Sequence, residues 1–176
     1  MSAMKPATIA LALGCLSVGS IALSAIHPWG NPRETTGINP PLLENSEIPT
    51  EVHSILETKC GDCHSERTRY PIYSRLAPVS WMLDRDVQMA RRALNMSRWR
   101  DYSTVDRISA LTKIASEVHN DQMPPRRYLL IHPLAHLSPA EQQRVYDWAR
   151  SERKRLRADS SNSSDQPSVP FEAIHP

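Results

Sequence analysis

The chain is short of cysteine, glycine and net charge, and each shortage excludes something. Of three cysteines, Cys15 lies in an apolar N-terminal run, so Cys60 and Cys63 are the only pair in the soluble part. A disulfide framework is thereby excluded. Lys and Arg number 21 against 19 Asp and Glu, a formal net charge of +2. A dedicated nucleic-acid binder usually carries a larger, clustered basic excess, so nucleic acid is not an expected partner. Only 5 glycines stand beside 15 prolines. Prolines remove backbone donors and interrupt elements, which predicts short helices joined by irregular loops. No internal repeat is visible, and no run alternates with period two for more than a few residues. What remains is 176 residues, 40% of them hydrophobic, which suits one domain with extensions.

One long apolar run is present. Residues Ala7 to Ile26 carry no charge, and as a helix they are long enough to cross a hydrocarbon core of about 30 Å. Residues 1–30 are read as a retained membrane anchor. A cleaved signal peptide, or lipidation of Cys15 after Gly14, is the alternative. All three place the rest of the chain on the extracytoplasmic, periplasmic side. His27 and Trp29 suit an interfacial belt. Lys5 before the run against Arg33 and Glu34 after it orients the chain only weakly. Residues 31–49, rich in Pro, Asn, Thr and Gly, read as a linker. Residues 50–157 form the domain, and 158–176 read as a disordered tail of Ser, Asn, Asp and Pro.

Within the domain the hydrophobic period is helical, so the fold class is all-α, with four or five helices and long irregular connections. Val52, Ile55 and Leu56 share a face behind Thr50, a candidate cap. Leu83, Val87, Ala90 and Leu94 recur at helical spacing, as do Ile108, Leu111, Ala115 and Val118 behind Ser103 or Thr104. Ser138, Pro139 and Glu141 form a capping box with proline in the first turn. The helix they open presents Val145, Trp148 and Ala149 and turns basic in RSERKRLR, which reads as a solvated helix end favoured by the dipole.

Cys60, Cys63 and His64 are the most specific local signal: C-G-D-C-H. A zinc site would need His132 and His136 as its other half. The separation from Cys63 to His132 far exceeds the roughly 12 to 15 residues usual for such sites. A thioredoxin-like dithiol needs a βαβ setting, and none is readable. C-x-x-C-H is the pattern of c-type haem attachment. Two thiols two residues apart match the two vinyl groups on one porphyrin edge, and the adjacent imidazole becomes an axial ligand. One motif implies one covalent haem c, held by Cys60, Cys63 and His64.

Candidates for the second axial position are Met82, Met89, Met96, Met123, His119, His132 and His136. Met82 and Met89 lie on a predicted helix and read as packing. Met123, in N-D-Q-M-P-P, sits in an irregular stretch between helices, where two prolines limit how its sulfur wanders. Met123 is the expected ligand and His132 the alternative. A methionine opposite a histidine raises the reduction potential.

The runs CGDCHSERTRYPIYSRLAPVSWMLDRDV, LNMSRW and MPPRRYLLIHPLAHLSPAEQQRVYDW resemble the bacterial haem-binding domain family of small, usually membrane-anchored proteins. The resemblance covers about Asn39 to Trp148. Cys60, Cys63, His64 and Ser65 match the attachment motif. Thr68, Pro71, Tyr73, Pro78 and Trp81 match the segments after it. Asn95, Ser97 and Trp99 fit an Asn-Phe-Ser-x-Trp pattern in which Met96 replaces Phe. Met123, Pro124, Tyr128, His132, Pro133, Ala135 and Leu137 fit the late Met-Pro and His-Pro signature. The family often has Trp at the place of Ile72 and Gly at that of Ala90. The resemblance implies a periplasm-facing, c-type cytochrome-like helical domain, and gives His132 a role. Arg91 is a candidate partner for a haem propionate. Trp81, Trp99, Tyr70 and Tyr73 are candidates for the haem pocket, as well as for ordinary core.

These readings predict an electron carrier of the cell envelope, tethered to the membrane and served by a redox partner protein not identifiable from the sequence. The alternatives are a peroxidase-like haem enzyme, with His132 or His119 as distal acid-base group, and a haem-based sensor of gas or redox state.

Overall fold

The computed structural model describes residues 5–28, 31 and 40–164. Trp29, Arg33, Glu34, most of the linker and residues 165–176 lie outside the described residues. Among the described residues there is no strand, and the fold is all-α, as the helical periodicity predicts. The helices are α1 (Pro6–Leu23), α2 (Thr50–Lys59), α3 (Gly61–His64), α4 (Val79–Ala93), α5 (Thr104–His119), α6 (Arg126–Leu129) and α7 (Pro139–Ser164). Short 3-10 turns stand at Ile72–Arg75, Met96–Asp101 and Pro133–Ala135. The chain forms two compact units: Met1–Leu42 with Cys60–Arg98, and Leu43–Lys59 with Trp99–Pro176.

The first unit holds α1, α3 and α4. Helix α1 has a mean hydropathy of 1.9 over 18 residues, none of them buried. At 1.5 Å per residue it is about 27 Å long, enough to span a bilayer core. Its first helical residue is Pro6, where the missing N–H costs nothing. Helix α4 turns Ser80, Asp84 and Val87 inward. This differs from the apolar stripe read from the sequence, of which only Val87 is fully buried. Met82 and Met89 are correspondingly exposed, at 59% and 54%, and are not core packing. The inward carboxylate of Asp84 is tolerated because the Nδ1 of His27 meets its Oδ2 at 2.7 Å. Arg91 donates from Nε to the Ser65 carbonyl (2.9 Å) and from an Nη to Thr68 Oγ1 (3.1 Å). It clamps the segment that follows the C-x-x-C-H motif.

The second unit is a helical core in which α5 and α2 pack against α7. Leu111, Ala115 and Val118 of α5 are buried, as the spacing predicts, and so are Val145, Trp148 and Ala149 of α7. Helix α2 buries Val52, Ile55 and Leu56. Its first turn is closed by the Pro49 carbonyl, which accepts from His53 N–H, so Thr50 is already helical. Ser103 caps α5 by accepting from Asp106 N–H at 3.1 Å. The Ser138–Glu141 box forms in both directions: Ser138 N–H donates to Glu141 Oε2 at 2.8 Å, and Glu141 N–H donates to Ser138 Oγ at 3.3 Å. That first bond holds the Glu141 carboxyl below the usual range. The stabilisation is therefore present above the unfolded carboxylate pKa and is lost as pH falls through the folded one. Glu141→Gln should flatten the acid limb of a pH–stability curve, and an unchanged limb would refute this role for the box.

Parts of two segments read from composition as irregular take a defined place among the described residues. Leu42 and Leu43, in the linker, are buried to 4% and 1% exposure. Helix α7 continues past Arg157 to Ser164. Arg155 pairs with Asp159 one turn on, at 2.8 Å, and the hydroxyls of Ser160 and Ser161 donate to the carbonyls of Leu156 and Arg157. The Arg155–Asp159 pair supports the helix where apolar periodicity gives no signal.

Candidate functional site: the Cys60–His64 turn

The attachment motif is a single helical turn. Cys60 precedes α3, and its carbonyl accepts from the N–H of Cys63 (3.2 Å) and of His64 (3.0 Å). One turn thus fixes both sulfurs and the imidazole on a short rigid piece. Cys60 and Cys63 carry thiols rather than a disulfide, and both are half-buried. Burial, followed by the negative charges of Asp62 and Asp86, pushes the Cys63 thiol up to about 11, against the opposing pull of Arg91. A thiol held protonated is a poor thiolate ligand. Among the described residues, no three His, Cys, Asp or Glu side chains gather to hold a bare metal ion.

The imidazole of His64 is oriented from behind. Its Nδ1 lies 3.0 Å from the Leu94 carbonyl oxygen. A carbonyl only accepts, so Nδ1 carries the proton and Nε2 is left with its lone pair. Burial lowers the pKa of this ring, while the carbonyls of Leu94 and Ala90 pull the other way. Burial thus favours the neutral imidazole, and the Nδ1–H bond to Leu94 fixes the tautomer suited to ligation through Nε2. Free Nε2 lone pair, fixed ring and two adjacent thiols are what a covalently held haem requires. In that fit Cys60 and Cys63 would hold the porphyrin and His64 would ligate iron, which supplies one-electron chemistry.

Ser65, Thr68, Asn95 and Ser97, which the sequence marks as motif residues without a role, help to hold this turn in place with Glu66, Arg69 and Arg98. The chain after His64 folds back over α3. Ser65 Oγ donates to the Gly61 carbonyl (2.7 Å), and Thr68 Oγ1 donates to the Asp62 carbonyl (2.6 Å). Arg69 donates from its backbone N–H and its Nε to Asp62 Oδ1, both at 3.1 Å. Glu66 then joins this loop to the segment that begins with Leu94. The Glu66 N–H donates to Ser97 Oγ (3.0 Å), and Glu66 Oε1 accepts from Asn95 Nδ2 (3.3 Å) and Arg98 Nε (2.9 Å). Asn95 Oδ1 accepts from Ser97 N–H at 3.1 Å. These bonds explain why Asn95 and Ser97 carry a motif: they fix the backbone whose preceding carbonyl, that of Leu94, orients His64. Their spacing was the available signal, but no partner could be assigned to it.

Trp81 is anchored to the end of α1. Its indole N–H donates to the carbonyls of Ile26 (2.8 Å) and Leu23 (3.2 Å), capping the end of α1. Trp99 is a core residue, 1% exposed, beside Tyr102. Tyr73 has its phenol pKa raised by burial and then by Asp62 and Cys63, which sets it near the attachment turn.

Met123 and His132 belong to the second unit. Helix α5 ends in a pair of bonds, Gln122 N–H to Glu117 carbonyl and Asp121 N–H to Val118 carbonyl, with Asp121 at φ 54°. This left-handed ending reverses the chain directly before Met123, whose side chain is 36% exposed. The His132 ring stacks on Tyr128 at 4.3 Å, and its backbone N–H donates to the Tyr128 carbonyl. His119 stacks on Tyr146 at 4.9 Å, and the His136 carbonyl accepts from Lys59 Nζ at 3.2 Å.

Comparison with known proteins agrees with this chemistry. A family model described as Haem-binding domain matches residues 18–151. The cytochrome c peroxidase Ccp of Escherichia coli (strain K12) is 23% identical over 136 residues, 76% of this chain and 29% of that protein. The chain therefore spans less than a third of that relative's length. No solved structure matches. The match covers most of the chain, including the Cys60–His64 turn and its Leu94 support, and the protein belongs to the Haem-binding domain family and binds haem.

Proposed function

We propose that the protein carries one covalent c-type haem and transfers single electrons in the cell envelope. Cys60 and Cys63 form the thioethers, His64 is one axial ligand and Met123 is the other. The observation that carries this reading is the bond from His64 Nδ1–H to the Leu94 carbonyl. It leaves Nε2 as the only basic nitrogen of a ring fixed on the same turn as both thiols. A carrier needs both axial positions filled, so that oxidation and reduction move an electron with little rearrangement. Methionine as second ligand favours the ferrous state and a higher potential. Helix α1 tethers the protein to the membrane, with the haem on the extracytoplasmic side, and a redox partner protein exchanges electrons with it.

The likeness to a protein named cytochrome c peroxidase favours one second reading, a peroxidase-like enzyme with an open iron face. The two separate on the isolated haem-loaded protein. The carrier reading requires a low-spin ferric spectrum and no consumption of hydrogen peroxide with a reduced cytochrome as donor. A high-spin ferric spectrum with peroxide turnover would replace it by the enzyme.

A further inference from the structure

The apolar helix does not simply precede the first unit; its end is bonded into it. Ser20 Oγ donates to the Ala77 carbonyl at 2.6 Å, and Ala77 N–H approaches the Ser20 carbonyl at 3.4 Å. Trp81 and Asp84 of α4 take the next turn, at Leu23, Ile26 and His27. The family match likewise begins at residue 18, inside α1. Ser20 is still within the apolar span, about 4.5 Å of helix rise before its last residue. Whatever is bonded to Ser20 must therefore sit at the depth of the membrane boundary, if α1 crosses the membrane.

The residues at that depth have the surface such a place requires. Ile72, Leu76, Val79 and Met82 are 84%, 43%, 41% and 59% exposed, an unusual density of large apolar side chains on one short segment of a small unit. Exposed Arg75 lies among them and exposed Arg85 follows them, which suits anionic headgroups. An apolar face with adjacent basic residues, continuous with a spanning helix, is the pattern of an interfacial membrane surface.

We propose that the 3-10 turn Ile72–Arg75 and the start of α4 form a second membrane contact, lying in the headgroup layer of the bilayer that α1 crosses. This rests on α1 being a retained anchor. The occupant is lipid, and the effect is to hold the first unit, with its Cys60–His64 turn, in a fixed attitude to the membrane instead of on a loose tether.

The test uses the full haem-loaded chain in lipid nanodiscs containing a phospholipid with a photoactivatable diazirine near the headgroup end of its acyl chain. After illumination, labelled peptides are mapped by mass spectrometry. Labelling of α1 and also of the 71–85 segment is expected. Leu76→Glu with Val79→Glu should lower the 71–85 labelling several-fold while leaving the α1 labelling and the haem absorption spectrum unchanged. Label on α1 with none on 71–85 would overturn the proposal and leave the anchor standing. Label on neither would overturn both.

Discussion

Met123→Ala should convert the ferric haem from low-spin to high-spin while the haem stays bound. The thioether of methionine is a soft, neutral ligand that favours ferrous iron, so its loss lowers the reduction potential. The vacated position then accepts water and becomes open to azide in the ferric state and carbon monoxide in the ferrous state. Unfolding would not explain such a change. Met123 is 36% exposed on a loop behind α5 and lies outside the helical core, so the far-ultraviolet circular dichroism should stay unchanged. His132→Ala is the control. If His132→Ala turns the iron high-spin and Met123→Ala does not, His132 is the ligand and the methionine assignment fails. If neither does, neither residue binds iron.

The second large effect is at Asn95, which is bonded to Glu66 and to Ser97. Asn95 is 7% exposed, and its amide serves both Glu66 and Ser97 N–H. Asn95→Ala leaves a buried N–H and a carboxylate oxygen each short of a partner, a loss of about 2 to 3 kcal/mol. Arg98 still holds Glu66 from the more exposed side, which keeps the loss from being larger. The same change loosens the Leu94 carbonyl. A weaker bond from Nδ1–H makes the His64 imidazole a poorer electron donor, so the haem potential should rise. Stability is read from denaturant unfolding and potential from redox titration of the same sample. A drop in stability with an unmoved potential would limit Asn95 to a structural role. No change in either would remove this network from the explanation of His64.

These two residues also show what the sequence made readable. Met123 stands out in the sequence as a candidate ligand because a methionine beside two prolines interrupts helical surroundings. The second unit was legible in detail, since apolar residues at helical spacing and the Ser103 and Ser138–Glu141 caps act within a few residues. The C-x-x-C-H turn was legible for the same reason. The first unit was harder because its order depends on polar pairs far apart along the chain. Asp84 is buried against His27, 57 positions away, and His64 is oriented by a carbonyl 30 positions away. Hydrophobic periodicity does not register a carboxylate that faces inward, so the predicted stripe includes the buried Val87 but not Ser80 or Asp84, and Met82 and Met89 are exposed where packing is expected. Arg91, a candidate for a propionate, proved to bind the Ser65 carbonyl and Thr68, a role that depends on a loop conformation no spacing rule supplies. The apolar run at the start is long and apolar enough to cross a membrane, but its bonds to Ala77 and Trp81 have no signal in the sequence.

The most direct measurement is the intact mass of the denatured polypeptide, made in a host with c-haem assembly machinery and extracted with acidified acetone before analysis. The expected result is a chain heavier by one haem, still coloured after extraction, with the added mass lost in the Cys60→Ala, Cys63→Ala double variant. A chain of unmodified mass, with its colour in the acetone, would contradict covalent attachment through the Cys60–His64 turn.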